Sequence, residues 1–323
     1  MRFLLLLLGV LSVPAYGQSA PDPALAQSLR QYSSIRQFMA TRGDRLWPGL
    51  GAAPFDFLMI GPNDERLYCR KSLPDGFVGG QDDPATGCKS ATRPRSGLPA
   101  GLLAAMPIFG APSTIVMGTA QATDRTDADW TRTIIHEHFH QWQDGLPSVY
   151  ARIAGLGLSG GDETGMWMLN YPFPYAEPKT VAAANTASLA LGAALDARGT
   201  PKLRVAFRKY LSARNAFARS VGAANWRYAE FELWKEGVAR WTEIELGKTF
   251  PDPAIKASAN QLEHQVRAWL DKPDIANAGR EFVYPYGAAE AMLLEACDPR
   301  WRARYPKTLA LGPLLDMSRG RCG

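Results

Sequence analysis

Thr126-Asp127-Ala128-Asp129-Trp130-Thr131-Arg132-Thr133-Ile134-Ile135-His136-Glu137-His138-Phe139-His140-Gln141-Trp142-Gln143 is the stretch on which the reading of the fold turns. Thr126 with Asp127 and Asp129 has the form of a helix start, with carboxylates placed in the first turn where the backbone N–H groups are unpaired. The apolar flank Thr133-Ile134-Ile135 continues the helix, and Asp144-Gly145-Leu146-Pro147 stops it after Gln143. Working backwards, Ser113–Met117 reads as a strand entering this helix. Phe55–Ile60, Arg66–Arg70 and Leu103–Phe109 are further short apolar runs broken by Gly and Pro, each with strand character.

Residues 18–45 carry Ala, Leu, Gln and Arg at helical spacing, ended by Gly43 and Pro48. Downstream of the decisive stretch the texture stays helical, over 178–197, 201–220, 223–247, 256–271 and from Tyr284 to Ala296. The expected fold class is α+β: a small N-terminal mixed or antiparallel sheet followed by a mainly helical body that carries the His-rich helix. The boundaries expected are a leader at 1–17, a helix-plus-sheet lobe at 18–120 and a helical lobe at 121–323.

The chain has 323 residues, 46% hydrophobic and 21% charged, which excludes a disordered tail, a collagen-like repeat and a multi-span membrane protein. Arg2 followed by the apolar run Phe3–Leu11, with Ala15 and Gly17 at −3 and −1 of a cut before Gln18, has the form of an export signal. That run is shorter than the roughly 20 helical residues a bilayer needs, so no stable membrane insertion is expected once the leader is removed. Net charge is +5 and the basic residues are spread along the chain, so nucleic acid is not an expected partner. The four cysteines, Cys69, Cys88, Cys297 and Cys322, contain no C-x-x-C pair. In an exported chain they point to two disulfides, with Cys69–Cys88 and Cys297–Cys322 the preferred pairing among three. The Asp-, Gly- and Pro-rich segment between Cys69 and Cys88 is expected to be an irregular loop.

Three of the chain's four histidines fall within His136-Glu137-His138-Phe139-His140. Residues i and i+4 of a helix are about 40° apart around the axis, so His136 and His140 project from one face and both imidazoles can reach one Zn²⁺. Glu137, one position on, lies close enough to handle a water at such an ion without ligating it. His138 is turned roughly 200° away and is expected to pack or to support from outside the site.

A catalytic zinc site needs a third protein ligand and an open position. The extended H-E-x-x-H-x-x-G-x-x-H pattern fails, because Gln143 and Leu146 occupy its Gly and last His positions. His264 lies far downstream in an amphipathic helix, so a carboxylate is expected. Two regions compete: Asp162 and Glu163 in a glycine-rich stretch, and Glu236 in Trp234-Lys235-Glu236-Gly237-Val238-Ala239-Arg240-Trp241. The small residues after Glu236 would let two helices approach closely. Glu232 or Glu243, on much the same face, could support a ligating histidine.

His136-Glu137-x-x-His140 followed by Glu236-Gly237-x-Ala239-x-Trp241 resembles the gluzincin-type metallopeptidases of the peptidase-MA-like group. The resemblance spans about 120–290. It implies a zincin-like fold, Zn²⁺ held by His136, His140 and Glu236, and Glu137 as general base. It also implies that a tyrosine near the start of the later helix Tyr284-Pro285-Tyr286-Gly287, either Tyr286 or Tyr284, stabilises the oxyanion. The interval from His140 to Glu236 is longer than in the thermolysin-like branch, which keeps Asp162 and Glu163 as alternatives.

The function expected from this reading is an exported, periplasmic or secreted, zinc-dependent hydrolase acting on a peptide or protein. The rival is a zinc-binding protein of the same fold that turns nothing over. The strand Ser113–Met117, just before the His-rich helix, is a candidate for pairing with an extended substrate. The aromatic, doubly proline-pinned segment Met166–Tyr175 is either a wall of the substrate cleft or a packing loop.

Overall fold

In the computed structural model, which describes residues 23–322, a six-stranded mixed sheet precedes a mostly helical body, the α+β arrangement expected from the sequence. The export-signal reading at 1–17 lies outside the described residues.

Helix α1 (Pro23–Leu46) buries Leu25, Leu29, Tyr32, Ile35 and Met39, a stripe at steps of three and four residues that packs against the body. The sheet follows as β1 (Phe57–Ile60), β2 (Asp64–Tyr68), β3 (Val78–Asp83), β4 (Cys88–Pro94), β5 (Leu103–Met106) and β6 (Thr114–Gly118). Spatial order is β3-β4-β2-β1-β6-β5; β1 and β6 run parallel and every other pair antiparallel. The period-2 alternation of the central strands feeds two cores. Phe57, Met59, Ile115 and Met117 join the main core shared with the helices, and Leu58, Ile60 and Val116 join a smaller one on the other face.

Strands β3 and β4 were not expected. β3 lies inside the Cys69–Cys88 segment that reads as an irregular loop, and it forms a hairpin with β4, whose first residue the disulfide ties to Cys69 at the end of β2. The β3 sequence, Val78-Gly79-Gly80-Gln81-Asp82-Asp83, borders the sheet with both faces largely solvated, so burial imposes no apolar alternation on it. The second disulfide joins Cys297 to Cys322, so both bridges follow the preferred pairing.

From β6 the chain enters α2 (Asp127–Asp144), whose start is capped by the Thr126 hydroxyl accepting from the Asp129 N–H at 3.1 Å. Trp130 Nε1 donates to Gly118 O at 2.9 Å and ties the helix start to the end of β6. The body then runs through α3 (Val149–Ala154), α4 (Trp167–Asn170), α5 (Pro178–Asp196) and α6 (Leu203–Val221). The expected single helix over 223–247 is instead α7 (Ala223–Glu232), a π-helical turn (Leu233–Gly237) and α8 (Val238–Lys248). After α9 (Pro253–Asp271), α10 (Ile275–Ala278) and a 3₁₀ turn (Gly279–Phe282), α11 (Val283–Cys297) crosses the π-turn.

That crossing depends on two glycines. A Cβ at Gly287 would lie 2.7 Å from Gly237 Cα and 2.9 Å from Leu233 O, and a Cβ at Gly237 would lie 2.4 Å from Gly287 Cα. These are backbone atoms that no rotamer change can relieve. Gly287→Ala is therefore expected to lower stability by about 1–3 kcal/mol, the usual cost of overpacking. Urea unfolding would report it as a lower midpoint at unchanged slope. An unchanged midpoint would show that the two helices can separate freely.

Candidate metal centre

Helix α2 presents His136 and His140 from its buried side towards the π-turn that carries Glu236. The two Nε2 atoms are 3.1 Å apart, and Glu236 Oε2 lies 3.4 Å from His136 Nε2 and 3.2 Å from His140 Nε2. Bonds of about 2.0–2.1 Å at tetrahedral angles place ligand atoms about 3.3–3.4 Å from one another, so this triangle has the size of three corners around a small divalent cation. The three side chains form a buried group that could hold a metal ion.

The surrounding hydrogen bonds settle which way the imidazoles face. Tyr305 Oη donates to Trp234 O at 2.7 Å, so the Gln143 amide nitrogen donates to Tyr305 Oη at 2.6 Å and to Lys235 O at 3.1 Å. Gln143 Oε1 is left as acceptor, 2.6 Å from His140 Nδ1, which must therefore carry that ring's proton. His136 Nδ1 likewise faces Glu243 Oε2 at 3.2 Å. Glu243 is held ionised: burial opposes its charge, but Arg240, Arg132 and His136 outweigh it and bring its pKa down to about 2. With both Nδ1 positions committed to these partners, the two Nε2 atoms are turned towards one point, which is how second-layer partners prepare histidines for a metal.

The local electrostatics favour a cation at that point. Burial disfavours charging His136, yet hydrogen bonds with Glu236 and Glu243 overcome it and raise its pKa to about 9. Burial also disfavours the Glu236 carboxylate, but His140, His136 and the Arg280 guanidinium hold it well below the usual range. His136, His140 and Glu236 are 5–7% exposed, so water screens these charges little.

Glu137 projects beside this group, and its Oε2 accepts a 2.7 Å hydrogen bond from the Ala105 N–H of β5. Strand β5 is the border strand next to α2. The strand expected to receive a substrate, Ser113–Met117, is instead paired on both sides, by β1 and β5, so its backbone has no free edge. The border that runs past Glu137 belongs to β5.

Of the two tyrosines, Tyr284 is the one at the centre. Its ring lies 5.9 Å from the His136 ring, its hydroxyl accepts from Arg280 Nη1 at 3.3 Å, and the Arg240 guanidinium sits 5.0 Å from its ring centre. Tyr286 is fully buried with its hydroxyl 3.3 Å from that of Tyr210, beside Glu290. Two residues along α11 rotate a side chain by about 200°, which places Tyr286 away from His136 and leaves Tyr284 the nearer of the two candidates.

Asp162 and Glu163 do not approach the histidines. Asp162 accepts from Thr164 N at 2.7 Å and Trp167 N at 2.6 Å, closing its own loop, and Glu163 is exposed. His138 stacks on Phe55 at 3.8 Å on the opposite side of α2. The segment Met166–Tyr175 packs against the body: Trp167 and Tyr171 stack on Phe231 and Tyr228, and Met168 O accepts from Arg280 Nε at 3.2 Å.

Two participants escaped the sequence reading. Gln143 sits three residues after His140, a helical spacing that could have flagged it as a partner. Arg280 sits four residues before Tyr284; its link to Glu232 and Glu236 spans 44–48 residues and left no local signal.

The geometry predicts one divalent ion per chain, lost in His140→Ala and Glu236→Ala and retained in Asp162→Asn and Glu163→Gln, as read by elemental analysis after dialysis. Glu243→Gln should weaken binding by about 10–100-fold through the freed His136 ring. Retention of the ion by Glu236→Ala would dissolve the assigned triangle. Comparison of the chain with family models, with curated proteins and with solved structures finds no match, so the functional reading rests on this geometry.

Proposed function

We propose that the chain is an exported zinc-dependent peptidase of the gluzincin type. The observation that carries the reading is the His136–His140–Glu236 triangle with Glu137 beside it. Two imidazoles and one carboxylate make the donor set of zinc sites that keep a fourth position open. A zinc ion held by His136, His140 and Glu236 would supply Lewis acidity and lower the pKa of a water in the open position towards roughly 7.

The chain's own residues then have separate tasks. Glu137 accepts the proton of the attacking water and returns it to the leaving amine. Tyr284 donates a hydrogen bond from its hydroxyl to the carbonyl oxygen as negative charge builds there. The border strand β5 offers backbone groups beside Glu137 with which an extended peptide can pair, giving affinity that is independent of side-chain identity. Two disulfides suit an oxidising, extracytoplasmic compartment. Among the described residues no helix is long and apolar enough to cross a membrane.

Glu137→Gln is the discriminating variant, because it keeps size and hydrogen bonding but removes the basic oxygen. It should retain one zinc per chain while kcat/KM on a peptide-library substrate falls by about 10²–10⁴-fold. Equal activity in Glu137→Gln would remove the base assignment. A wild type loaded with one zinc that cleaves nothing in the library would favour the zinc-binding protein without turnover.

A further inference from the structure

We propose that Arg280 is a positioning residue of the metal centre, fixing Glu236 as a one-oxygen ligand and turning the Tyr284 hydroxyl into a donor. The inference rests on the metal reading above and adds a residue to it. The guanidinium donates four hydrogen bonds. Nη2 donates to Glu232 Oε2 at 2.5 Å and to Glu236 Oε1 at 3.1 Å, Nη1 to Tyr284 Oη at 3.3 Å, and Nε to Met168 O at 3.2 Å. These partners come from α7, the π-turn, α11 and α4, so one planar group ties together all the elements on this side of the triangle.

The two oxygens of Glu236 are thereby divided. Oε2 faces both histidine Nε2 atoms, whereas Oε1 is engaged by Arg280. A carboxylate that bound through both oxygens would have to give up the guanidinium, so Arg280 favours a single bond and keeps a coordination position for a reactant.

The effect on Tyr284 follows from valence. A guanidinium has only N–H donors, so Tyr284 Oη can only accept from it, and the phenolic proton is not spent there. Burial and the nearby Glu236 charge raise the Tyr284 pKa, which keeps that proton in place.

Glu232 explains why the guanidinium stays put. It is fully buried and accepts from the same Nη2 that reaches Glu236, while Met168 O fixes the Nε end. A lysine is a point charge and could not serve four directions at once. Nor would it set the plane that aligns Glu236 with Tyr284.

The test compares wild type with Arg280→Met, Arg280→Lys and the double variant Glu232→Gln/Arg280→Met, which avoids leaving a buried carboxylate alone. Two readouts need no turnover: zinc affinity by competition with a chromophoric chelator, and the visible d–d spectrum of the cobalt(II)-loaded protein. Arg280→Met and the double variant should bind zinc about 10–100-fold more weakly, the usual loss on removing a second-layer partner, with a shifted cobalt spectrum. Arg280→Lys should recover only part of the affinity. Tyr284→Phe should keep wild-type zinc affinity and lower kcat with KM little changed. Wild-type affinity and an unchanged cobalt spectrum in both the single and the double methionine variants would overturn the assignment of Arg280 alone. A wild type that binds no zinc would instead overturn the proposed function and this inference with it.

Discussion

Two imidazole Nε2 atoms and a carboxylate oxygen meet within 3.1–3.4 Å in a place that is almost dry. Three such atoms stay together only around positive charge, which a proton on His136 supplies here and a bound cation would supply in its place, and low dielectric makes that requirement strict. The surroundings fix the triangle from outside. Gln143, itself fixed by Tyr305 and the backbone of the π-turn, locks His140, and Glu243, fixed by Arg132 and Arg240, locks His136. Each ligand is thus held by a residue that is held in turn. Such preorganisation moves the cost of assembling a site from binding to folding.

The π-turn is the place where that cost is concentrated. Inserting it between α7 and α8 rotates Glu236 relative to a continuous α-helix and brings Gly237 against Gly287 of α11. Wide helical turns of this kind weaken local hydrogen bonding, so neighbouring contacts must hold the segment. Just upstream, Arg214 donates to Glu230 at 2.7 and 3.0 Å and to Glu290 at 2.5 Å, and Glu230 also accepts from Leu311 N and Gly312 N at 3.0 Å. Losing one member of such a buried charged cluster costs about 3–5 kcal/mol because the others are stranded. The cluster therefore pins α6, α7, α11 and the C-terminal segment together, immediately before the chain turns into the metal centre. Tyr286 belongs to this pillar through Tyr210, which accounts for its burial.

What the sequence made legible divides along the same physical line. His136, Glu137 and His140 are related by helical periodicity, which is local, and the placement of His138 on the opposite side follows from the same angle. The capped start at Thr126 and the stop at Gly145 were readable for the same reason. Glu236 was reachable because Gly237 and Ala239 advertise a close helix approach, although the π-turn that delivers it was not, since Leu233–Gly237 carries an ordinary helical composition. Choosing Tyr284 over Tyr286 required knowing which side of α11 faces α2, a tertiary fact. Strand β3 escaped because a solvated border strand has no buried face to pattern it.

The charge balance explains why so many arginines stand near a group that could hold a cation. Glu137, Glu232, Glu236 and Glu243 would together overwhelm a buried pocket and, with a divalent ion, still leave it anionic. Arg132 and Arg240 take up Glu243, and Arg280 spans Glu232 and Glu236, so guanidinium charge sits on the outer oxygens while the inner ones remain for the ion. Glu232 is the weak member: burial outweighs Arg280 and pushes its pKa up to about 8, so it sheds its charge first. Glu137 is the exception, since its marked partner is a neutral backbone N–H on β5. The carboxylate assigned to proton transfer is thus the one that no arginine neutralises, whereas the carboxylates assigned to structure and ligation all carry one.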